Sequence, residues 1–467
     1  MPREPIDLMI RAGRIVTMDA DRRILDDSAV AVRHDRVVAV APAVELDARY
    51  TPNAEIGGPD RLAIPGLINA HQHLTGDRLI RSAIPDNLEP GRAIFEWAVP
   101  VHAAHTPDDD ELSATLSLVE AVGNGITYTV EAGTVAHPEQ VLAAYDAVGV
   151  SGTLGSWGWD VDGQPWAGSV ADVLARQRHV LDLATDHPRV DGWITLVGHD
   201  LMSDELVVAA SELAATVGTK LTFHLSPTGS DASSYLVRTG LRPVLHLDAL
   251  GALGSHVLIA HAVHVDGAEF GVLLDRDVAV AYCPWAYLRL GQGVTGAGRH
   301  ADLVERGGRV ALGCDSENAS DAIDVLRAAA LTAGLAKDMR VDPTRFGAHA
   351  ALELATIAGA RAIGMDHEIG SLEEGKRADV VLVDTTGPEW VPASPDPVLQ
   401  LVWASDGRSV VDVVASGRHV VRDGRCITVD RADLATRAVD HHHRLLHDAG
   451  LTPTPRWPVT AAEVPEV

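Results

Sequence analysis

Two histidines, placed two residues apart, follow an apolar run in the first part of the chain. The run from Ile64 to Ala70 leads directly into His71 and His73. Side chains at positions i and i+2 of a β-strand point to the same side, so both imidazoles can face one point. Neutral imidazole is a ligand for zinc, iron and cobalt. The pair therefore predicts half of a metal site at a strand end, although a surface histidine pair gives the same pattern.

Polar and aromatic side chains follow later apolar runs in the same way. They are Glu131, Trp157 with Trp159, His199 with Asp200, His224, His261 with His264, Cys283 and Asp315. If the runs are parallel strands of one barrel, these positions share a single rim. Several histidines and a carboxylate on one rim are what a metal site with its proton-transfer groups requires. The remaining histidines, including His102, His105 and the run His441 to His443, are predicted to lie on the surface.

The spacing of the apolar runs predicts an α/β fold, a closed (β/α)8 TIM-like barrel. The eight runs are Ile64 to His73, Ile126 to Gly133, Gly152 to Trp159, Val190 to Asp200, Lys220 to Ser226, His256 to Val263, Asp277 to Pro284 and Arg309 to Ser316. Helical patterns between them include Asp108 to Val122, Val170 to Ala184, Asp204 to Val217, Gly267 to Leu274 and Asp321 to Leu335. The long interval 74–107 predicts an excursion over the barrel mouth.

Short strand-like runs at both ends of the chain predict a second, smaller domain. Residues 1–60 contain four such runs, and others lie at Asp379 to Val383 and Val410 to Val414. Neither set makes a large sheet alone, so we expect a small β-sandwich satellite domain built from both chain ends. The expected organisation is 1–60 for the first part of the sandwich, 61–365 for the barrel, 366–430 for the second part, and 431–467 for a C-terminal helix and tail.

Composition excludes several classes of function for this chain of 467 residues. Acidic residues outnumber basic ones by 65 to 38, and a net charge of −27 repels nucleic acid. No run reaches the ~18 apolar residues that a membrane span needs, and the first residues lack a secretory signal pattern. A cytoplasmic protein is therefore expected. The three cysteines, at positions 283, 314 and 426, show no CxxC spacing and indicate neither disulfides nor a thiolate zinc site.

Five segments in order resemble the amidohydrolase superfamily of metal-dependent hydrolases. They are Pro65 to His73, Phe223 to Ser226, Ile259 to His264, Leu312 to Asp315 and Gly370 to Asp379. The resemblance implies one divalent ion per subunit, zinc or cobalt first and manganese or iron as alternatives. Its implied ligands are His71, His73, His224, Asp315 and His261, the last binding either the ion or only its water. Strand four ends without the lysine that bridges two metals in some relatives, which favours a single ion.

Two departures from the deaminase branch bear on the substrate. In that branch a glutamate that moves protons stands three residues after the fifth-strand histidine, whereas this chain has Pro227. After strand seven the branch shows Pro-x-Ser-Asn, whereas this chain has Pro284 to Tyr287. The first difference implies that a purine or cytosine deaminase would lack its general acid, and the second predicts an apolar wall of the substrate pocket. Its expected substrate contacts are Trp157, Trp159, Trp285, Tyr287, Glu131 and His199.

The missing glutamate, with the stretches Ile84 to Asn87 and Ile94 to Thr106, resembles the phenylurea and thiocarbamate (molinate-type) herbicide hydrolases. This resemblance implies hydrolysis of a C–N bond at the carbonyl of a urea, carbamate or thiocarbamate by metal-bound hydroxide. The implied catalytic residues are Asp315, His261 and His264, which would pass a proton to the leaving amine. The implied partners are a small-molecule substrate with an apolar part and copies of the chain in a dimer or tetramer. Alternatives are an aminohydrolase or chlorohydrolase of a triazine or purine-like ring, and a non-catalytic metal-binding relative.

Overall fold

The structure, a computed structural model, describes residues 3–459. Its strands, in chain order, are β1 (Glu4–Val16), β2 (Ile24–Arg33), β3 (Arg36–Pro42), β4 (Tyr50–Pro65), β5 (Leu67–Gln72), β6 (Ile126–Glu131), β7 (Ser151–Leu154), β8 (Val190–Gly192), β9 (Ile194–Gly198), β10 (Leu221–Leu225), β11 (Val257–His261), β12 (Ala279–Tyr282), β13 (Val310–Leu312), β14 (Val380–Asp384), β15 (Val410–Ala415), β16 (Arg418–Arg422) and β17 (Arg425–Cys426).

The helices lie mainly between the barrel strands. In chain order they are α1 (Ala43–Arg49), α2 (Pro90–Ala93), α3 (Val99–Ala104), α4 (Pro107–Gly123), α5 (Pro138–Val148), α6 (Val170–Ala184), α7 (Asp204–Val217), α8 (Gly229–Thr239), α9 (Pro243–Ala249), α10 (Gly267–Asp275), α11 (Pro284–Arg289), α12 (Val294–Ala297), α13 (His300–Glu305), α14 (Glu317–Ser320), α15 (Val325–Asp338), α16 (Ala348–Leu354), α17 (Ile357–Ile363), α18 (Pro397–Ala404) and α19 (Arg431–Asp448). Within residues 3–459, no helix is both long enough and apolar enough to cross a membrane.

The predicted (β/α)8 barrel is confirmed, with its strands in two hydrogen-bonded arcs. One arc has the order β5-β6-β7-β8 and the other β13-β12-β11-β10-β9, all in parallel pairs. The fourth barrel strand is divided at Trp193, so that β8 pairs with β7 and β9 pairs with β10. The two arcs meet where the backbone N–H groups of Cys314 and Asp315 donate to the carbonyl oxygen of His71, at 3.1 and 2.8 Å.

The satellite domain is also confirmed as a joint product of both chain ends. Its strands form one sheet in the order β17-β16-β15-β14-β4-β1-β2-β3, with β14 antiparallel to the last residues of β4. Side chains from early and late strands, such as Ile10 and Leu382, share one buried cluster. The sheet therefore encloses apolar side chains contributed by both ends of the chain.

The excursion after the first barrel strand, residues 74–106, is here called the mouth segment. It contains a 3₁₀ helix at Asp77–Ile80, a π-helical turn at Ile94–Ala98, and helices α2 and α3. Its end is fixed by Thr106, which caps α4 reciprocally with Asp109 and is followed by a proline at the first helical position. Helix α19 packs over the segment, where buried Leu445 joins a cluster with Leu79.

Candidate active site

Four predicted ligands meet at the carboxyl end of the barrel. His71 lies in β5 and His73 directly follows it, while His224 lies in β10 and Asp315 follows β13. The Nε2 atoms of His73 and His224 are 3.1 Å apart, and Asp315 Oδ1 is 3.4 Å from His73 Nε2 and 3.7 Å from His71 Nε2. The ligand atoms of His71, His261 and Asp315 form a second group in which all atoms lie within 4.8 Å of one another.

The hydrogen bonds around these side chains fit a divalent metal ion. Both ring nitrogens of His71 and Nδ1 of His261 are buried without a partner among the described residues, which is rare for buried polar atoms. His224 donates from Nδ1 to the carbonyl oxygen of Val197 at 2.6 Å, leaving the lone pair of Nε2 free. His73 Nδ1 is 3.0 Å from the hydroxyl of Thr134, so its Nε2 also faces the cluster.

The charges of the cluster follow from burial. Burial lowers the pKa of His71 and His224 well below the ordinary value and that of His261 to about 4, so these imidazoles are neutral at pH 7. Burial also acts to raise the pKa of Asp315, but the hydrogen bond to His73 and the nearby imidazoles outweigh it and lower that pKa well below its usual value. Neutral imidazoles beside an ionised carboxylate are the donor set that zinc prefers.

The backbone is strained where the strands end. His199, Ser226, His261 and Asp315 have φ values of 54°, 52°, 82° and 66°, although none is glycine. Such left-handed conformations cost of order 1–3 kcal/mol each and persist only where the surrounding structure enforces them. They turn the chain so that strands four, five, six and eight deliver their side chains to one rim.

Glu131, predicted at the rim, is the last residue of β6 and is fully buried. Its carboxylate accepts hydrogen bonds from the backbone N–H groups of Gly133 at 2.7 Å and Thr134 at 3.4 Å, and the residue has no solvent exposure. Burial raises the pKa of Glu131 to about 7. Thr134 also lies 3.0 Å from His73 Nδ1 through its hydroxyl, so Glu131 and His73 are linked through this one residue.

The four predicted aromatic contacts are separated in space. Trp157 and Trp159 stack with ring centroids 5.1 Å apart and pack with Val99 of the mouth segment, so this pair forms an apolar wall. Tyr287 is fully buried, and its hydroxyl accepts the N–H of Cys283 at 2.9 Å. Trp285 lies beneath the guanidinium of Arg327 on α15, with the charge 4.8 Å from the ring centroid. The tryptophan pair thus packs on the mouth segment, whereas the ring of Tyr287 lies 5.6 Å from that of His261.

The two other predicted histidines occupy different environments. His199 stacks on His224 with ring centroids 5.3 Å apart, and its Nδ1 is 3.0 Å from the carboxylate of Asp231. His264 has Nε2 2.7 Å from the carbonyl oxygen of Gln292, so that nitrogen donates away from the ligand cluster. His199 is therefore placed beside the site, whereas His264 supports a neighbouring loop.

Several residues that organise the site were not found from the sequence. Asn69 accepts the N–H groups of His71 and Cys314 at its side-chain oxygen, at 3.3 and 3.0 Å, and so joins strands one and eight. Its position two residues before His71 was the available signal. His102, predicted on the surface, is 7% exposed, with its ring 5.2 Å from that of Trp157. Nothing in its sequence neighbourhood indicated this burial.

A cluster of neutral imidazoles and a carboxylate at the carboxyl end of a (β/α)8 barrel defines a metal-dependent hydrolase. The chain belongs to the amidohydrolase family, whose model matches residues 62–420. The protein is therefore a metal-dependent hydrolase that acts on C–N bonds.

Named relatives cover almost the whole chain. It is 30% identical over 433 residues to a 5-methylthioadenosine/S-adenosylhomocysteine deaminase of Syntrophobacter fumaroxidans, covering 92% of this chain and 96% of that protein. It superimposes on an adenosine deaminase of Xanthomonas campestris with bound zinc at a TM-score of 0.90 and 28% identity, covering 96% of this chain and 100% of the other. An atrazine chlorohydrolase of Arthrobacter aurescens, at 23% identity and TM-score 0.82 over 93% and 100%, shares the fold. These relatives do not support the predicted assignment to the phenylurea and thiocarbamate branch.

Proposed function

We propose that the protein is a zinc-dependent aminohydrolase that removes the exocyclic amino group of an adenosine-like purine. The observation that carries this proposal is the cluster of His71, His73, His224 and Asp315, with unpartnered imidazole nitrogens, in a chain similar over nine tenths of its length to purine nucleoside deaminases. We further propose one ion per subunit, because His71 belongs to both groups of neighbouring ligand atoms and strand four ends without a lysine.

A bound divalent ion would supply Lewis acidity and lower the pKa of water to about 7. The neutral imidazoles hold it without cancelling its charge. The Asp315 carboxylate, ionised in this setting, accepts a proton from water at its side-chain oxygen and returns it to the departing nitrogen. Trp157 and Trp159, stacked on each other and packed with Val99, exclude water on one side of the mouth.

One residue, Pro227, favours a second candidate function. Pro227 has no titratable group, so the proton donor that serves deaminases three residues after the strand-five histidine is absent. Hydrolysis at the carbonyl of a urea, carbamate or thiocarbamate releases a basic amine and needs less help from an acid. This reaction is therefore the alternative for the same metal site.

A hydrolysis panel distinguishes the two candidates. Zinc-reconstituted protein is incubated with 5′-methylthioadenosine, S-adenosylhomocysteine, adenosine, atrazine, a phenylurea and a thiocarbamate, and the release of ammonia, chloride or amine is measured. We expect ammonia from at least one purine nucleoside and about one zinc per subunit by metal analysis. The control is His71→Ala, which removes a ligand.

Other outcomes assign the site differently. Amine release from the urea or thiocarbamate alone would contradict the proposal and select the second candidate, and chloride release from atrazine alone would select a triazine chlorohydrolase. Protein that binds no zinc and hydrolyses nothing would match the non-catalytic relative.

A further inference from the structure

We propose that Asp77, with His102 beside it, is the group that donates a proton to the substrate in place of the carboxylate missing at Pro227. This inference rests on the proposed function and assigns a catalytic role to a residue of the mouth segment. The proton acceptor is the ring nitrogen next to the carbon that bears the amino group.

Asp77 lies near enough to His73 and Asp315 for their charges to act on it, and its helix is firmly held. It begins the 3₁₀ helix Asp77–Ile80, four residues after His73. Leu79 and Ile80 of this helix are buried in clusters with α19. The guanidinium of Arg78 pairs with Glu120 of α4. The carboxyl group of Asp77 is thus fixed by its own helix on a rigid support rather than on a mobile loop.

The carboxyl group lacks the hydrogen bonds that its burial demands. Asp77 is 4% exposed, and its Oδ1 is buried without a partner among the described residues. The nearest imidazole atom is His102 Nε2 at 3.9 Å, which is too long for a hydrogen bond. An unsatisfied buried oxygen costs about 1–3 kcal/mol. A polar substrate atom beside Asp77 and His102 would satisfy both groups at once.

Burial and the neighbouring charges shift the pKa of Asp77 upward, towards the protonated form. Burial raises its pKa, and the nearby Asp315 carboxylate acts in the same direction, whereas His73 and the Ser316 and Asn318 side chains oppose it without prevailing. Glu317 is the other carboxyl group whose charge is felt there. Burial lowers the pKa of His102 to about 3, so this imidazole is neutral and does not draw the proton from Asp77 as an ion pair would.

Each proton is accounted for over one turnover. The O–H of Asp77 gives its proton to the ring nitrogen as the oxygen of water bonds to the adjacent carbon and Asp315 takes one water proton. The bond from carbon to the amino nitrogen then breaks, its electron pair going to nitrogen, which receives the proton from Asp315 and leaves as ammonia. The hydroxyl proton left on the product oxygen passes to Asp77, so that a carbonyl forms and both carboxyl groups are restored.

Asp77 could instead have only a structural role, joining the mouth segment to residues 316–318. Variants of Asp77 distinguish this role from proton donation. Asp77→Asn keeps the size of the side chain and a hydrogen-bond donor but has no transferable proton, whereas Asp77→Ala removes the group. The matched control is Asp86→Ala, an exposed carboxylate of the same segment. Each zinc-loaded variant is compared with wild type for kcat and KM on the purine nucleoside that wild type hydrolyses, for the pH profile, for zinc content and for thermal midpoint.

We expect Asp77→Asn and Asp77→Ala to lower kcat by about 100-fold or more, with KM, zinc content and thermal midpoint close to wild type. A fall of wild-type activity with rising pH that reports loss of the Asp77 proton should be absent from the residual activity of Asp77→Asn. Asp86→Ala should match wild type. If Asp77→Ala does not fold, the comparison with wild type is made with the isosteric Asp77→Asn alone.

Three results would overturn the inference. Wild-type kcat and an unchanged pH profile in Asp77→Asn would refute it while leaving the proposed function intact. Loss of zinc or a lowered thermal midpoint in Asp77→Asn would show a structural role instead. Wild-type protein that hydrolyses no purine nucleoside would refute the proposed function and this inference with it.

Discussion

Replacing Thr134 by valine tests how the barrel orients its metal ligands. The two side chains have nearly the same shape, so the substitution removes the hydroxyl 3.0 Å from His73 Nδ1 and leaves the packing in place. The backbone carbonyl of Thr134, which accepts the hydroxyl of Thr75 at 2.8 Å, is unaffected. Thr134→Val therefore isolates the one contact that fixes the rotation of the His73 ring.

The expected loss of zinc affinity follows from the orienting role of this hydrogen bond. Loss of a hydrogen bond that orients a metal-binding histidine typically weakens metal binding by 10- to 100-fold. That range corresponds to roughly 1.4–2.8 kcal/mol of binding free energy. His73 alone of the three imidazole ligands at positions 71, 73 and 224 has its free nitrogen set by a side-chain hydroxyl, so the whole effect should come from this ring.

The assay is competition for zinc against a chromophoric chelator, with thermal unfolding as the test of folding. The control is Thr222→Val, because Thr222 lies on β10 with its hydroxyl buried and without a partner among the described residues. This control should keep wild-type zinc affinity. If Thr134→Val binds zinc within about twofold of wild type, against the 10-fold minimum expected, the argument that Thr134 orients His73 is refuted.

Three further predictions concern other parts of the molecule. His71→Ala should weaken zinc binding by more than the ~100-fold upper limit for an orienting residue, as measured by metal analysis after dialysis. Although burial opposes it, hydrogen bonds from His105 and His137 lower the pKa of Asp110 to about 2, so its ionised form stabilises the fold above about pH 4 and this stability is lost as pH falls towards 2. Asp110→Asn should therefore cost about 2.5 kcal/mol of unfolding free energy at pH 7, and its urea-unfolding curve should approach that of wild type below pH 4; an equal difference at all pH values would contradict this. Leu445→Ala, at a position with no exposure, should lower the free energy of unfolding by about 2–5 kcal/mol in urea titrations, and wild-type stability would show that α19 is not anchored there.

Much of the fold was predictable because its signals are local. The helix from Val170 to Ala184 has the predicted bounds, and each predicted barrel run contains an observed strand. Apolar runs of this length mark strands that are buried on both faces, as the strands of a parallel barrel must be. The ligands His71, His73 and Asp315 were found in the same way, since a strand end fixes where the next side chains point.

The rest of the site depends on contacts that no local pattern records. Glu131 ends its strand, and its carboxylate accepts hydrogen bonds from the N–H groups of Gly133 and Thr134, a local turn that no spacing pattern showed. His102 lies in an amphipathic stretch that also fits a surface helix, and only the packing of the mouth segment against Trp157 buries it. The loop that follows a strand sets the direction of the next side chains. Residues at equivalent positions in the sequence therefore have different surroundings in the structure.

The packing of α19 on the mouth segment has a consequence for how the protein is made. The segment 74–106 leaves the ribosome roughly 325 residues before the helix that covers it, a delay of about 15–65 s at ordinary elongation rates. During that interval Leu79 and Ile80 lack the side chains of α19 against which they are buried in the finished protein. The mouth segment therefore reaches its final packing only after the last helix has been made.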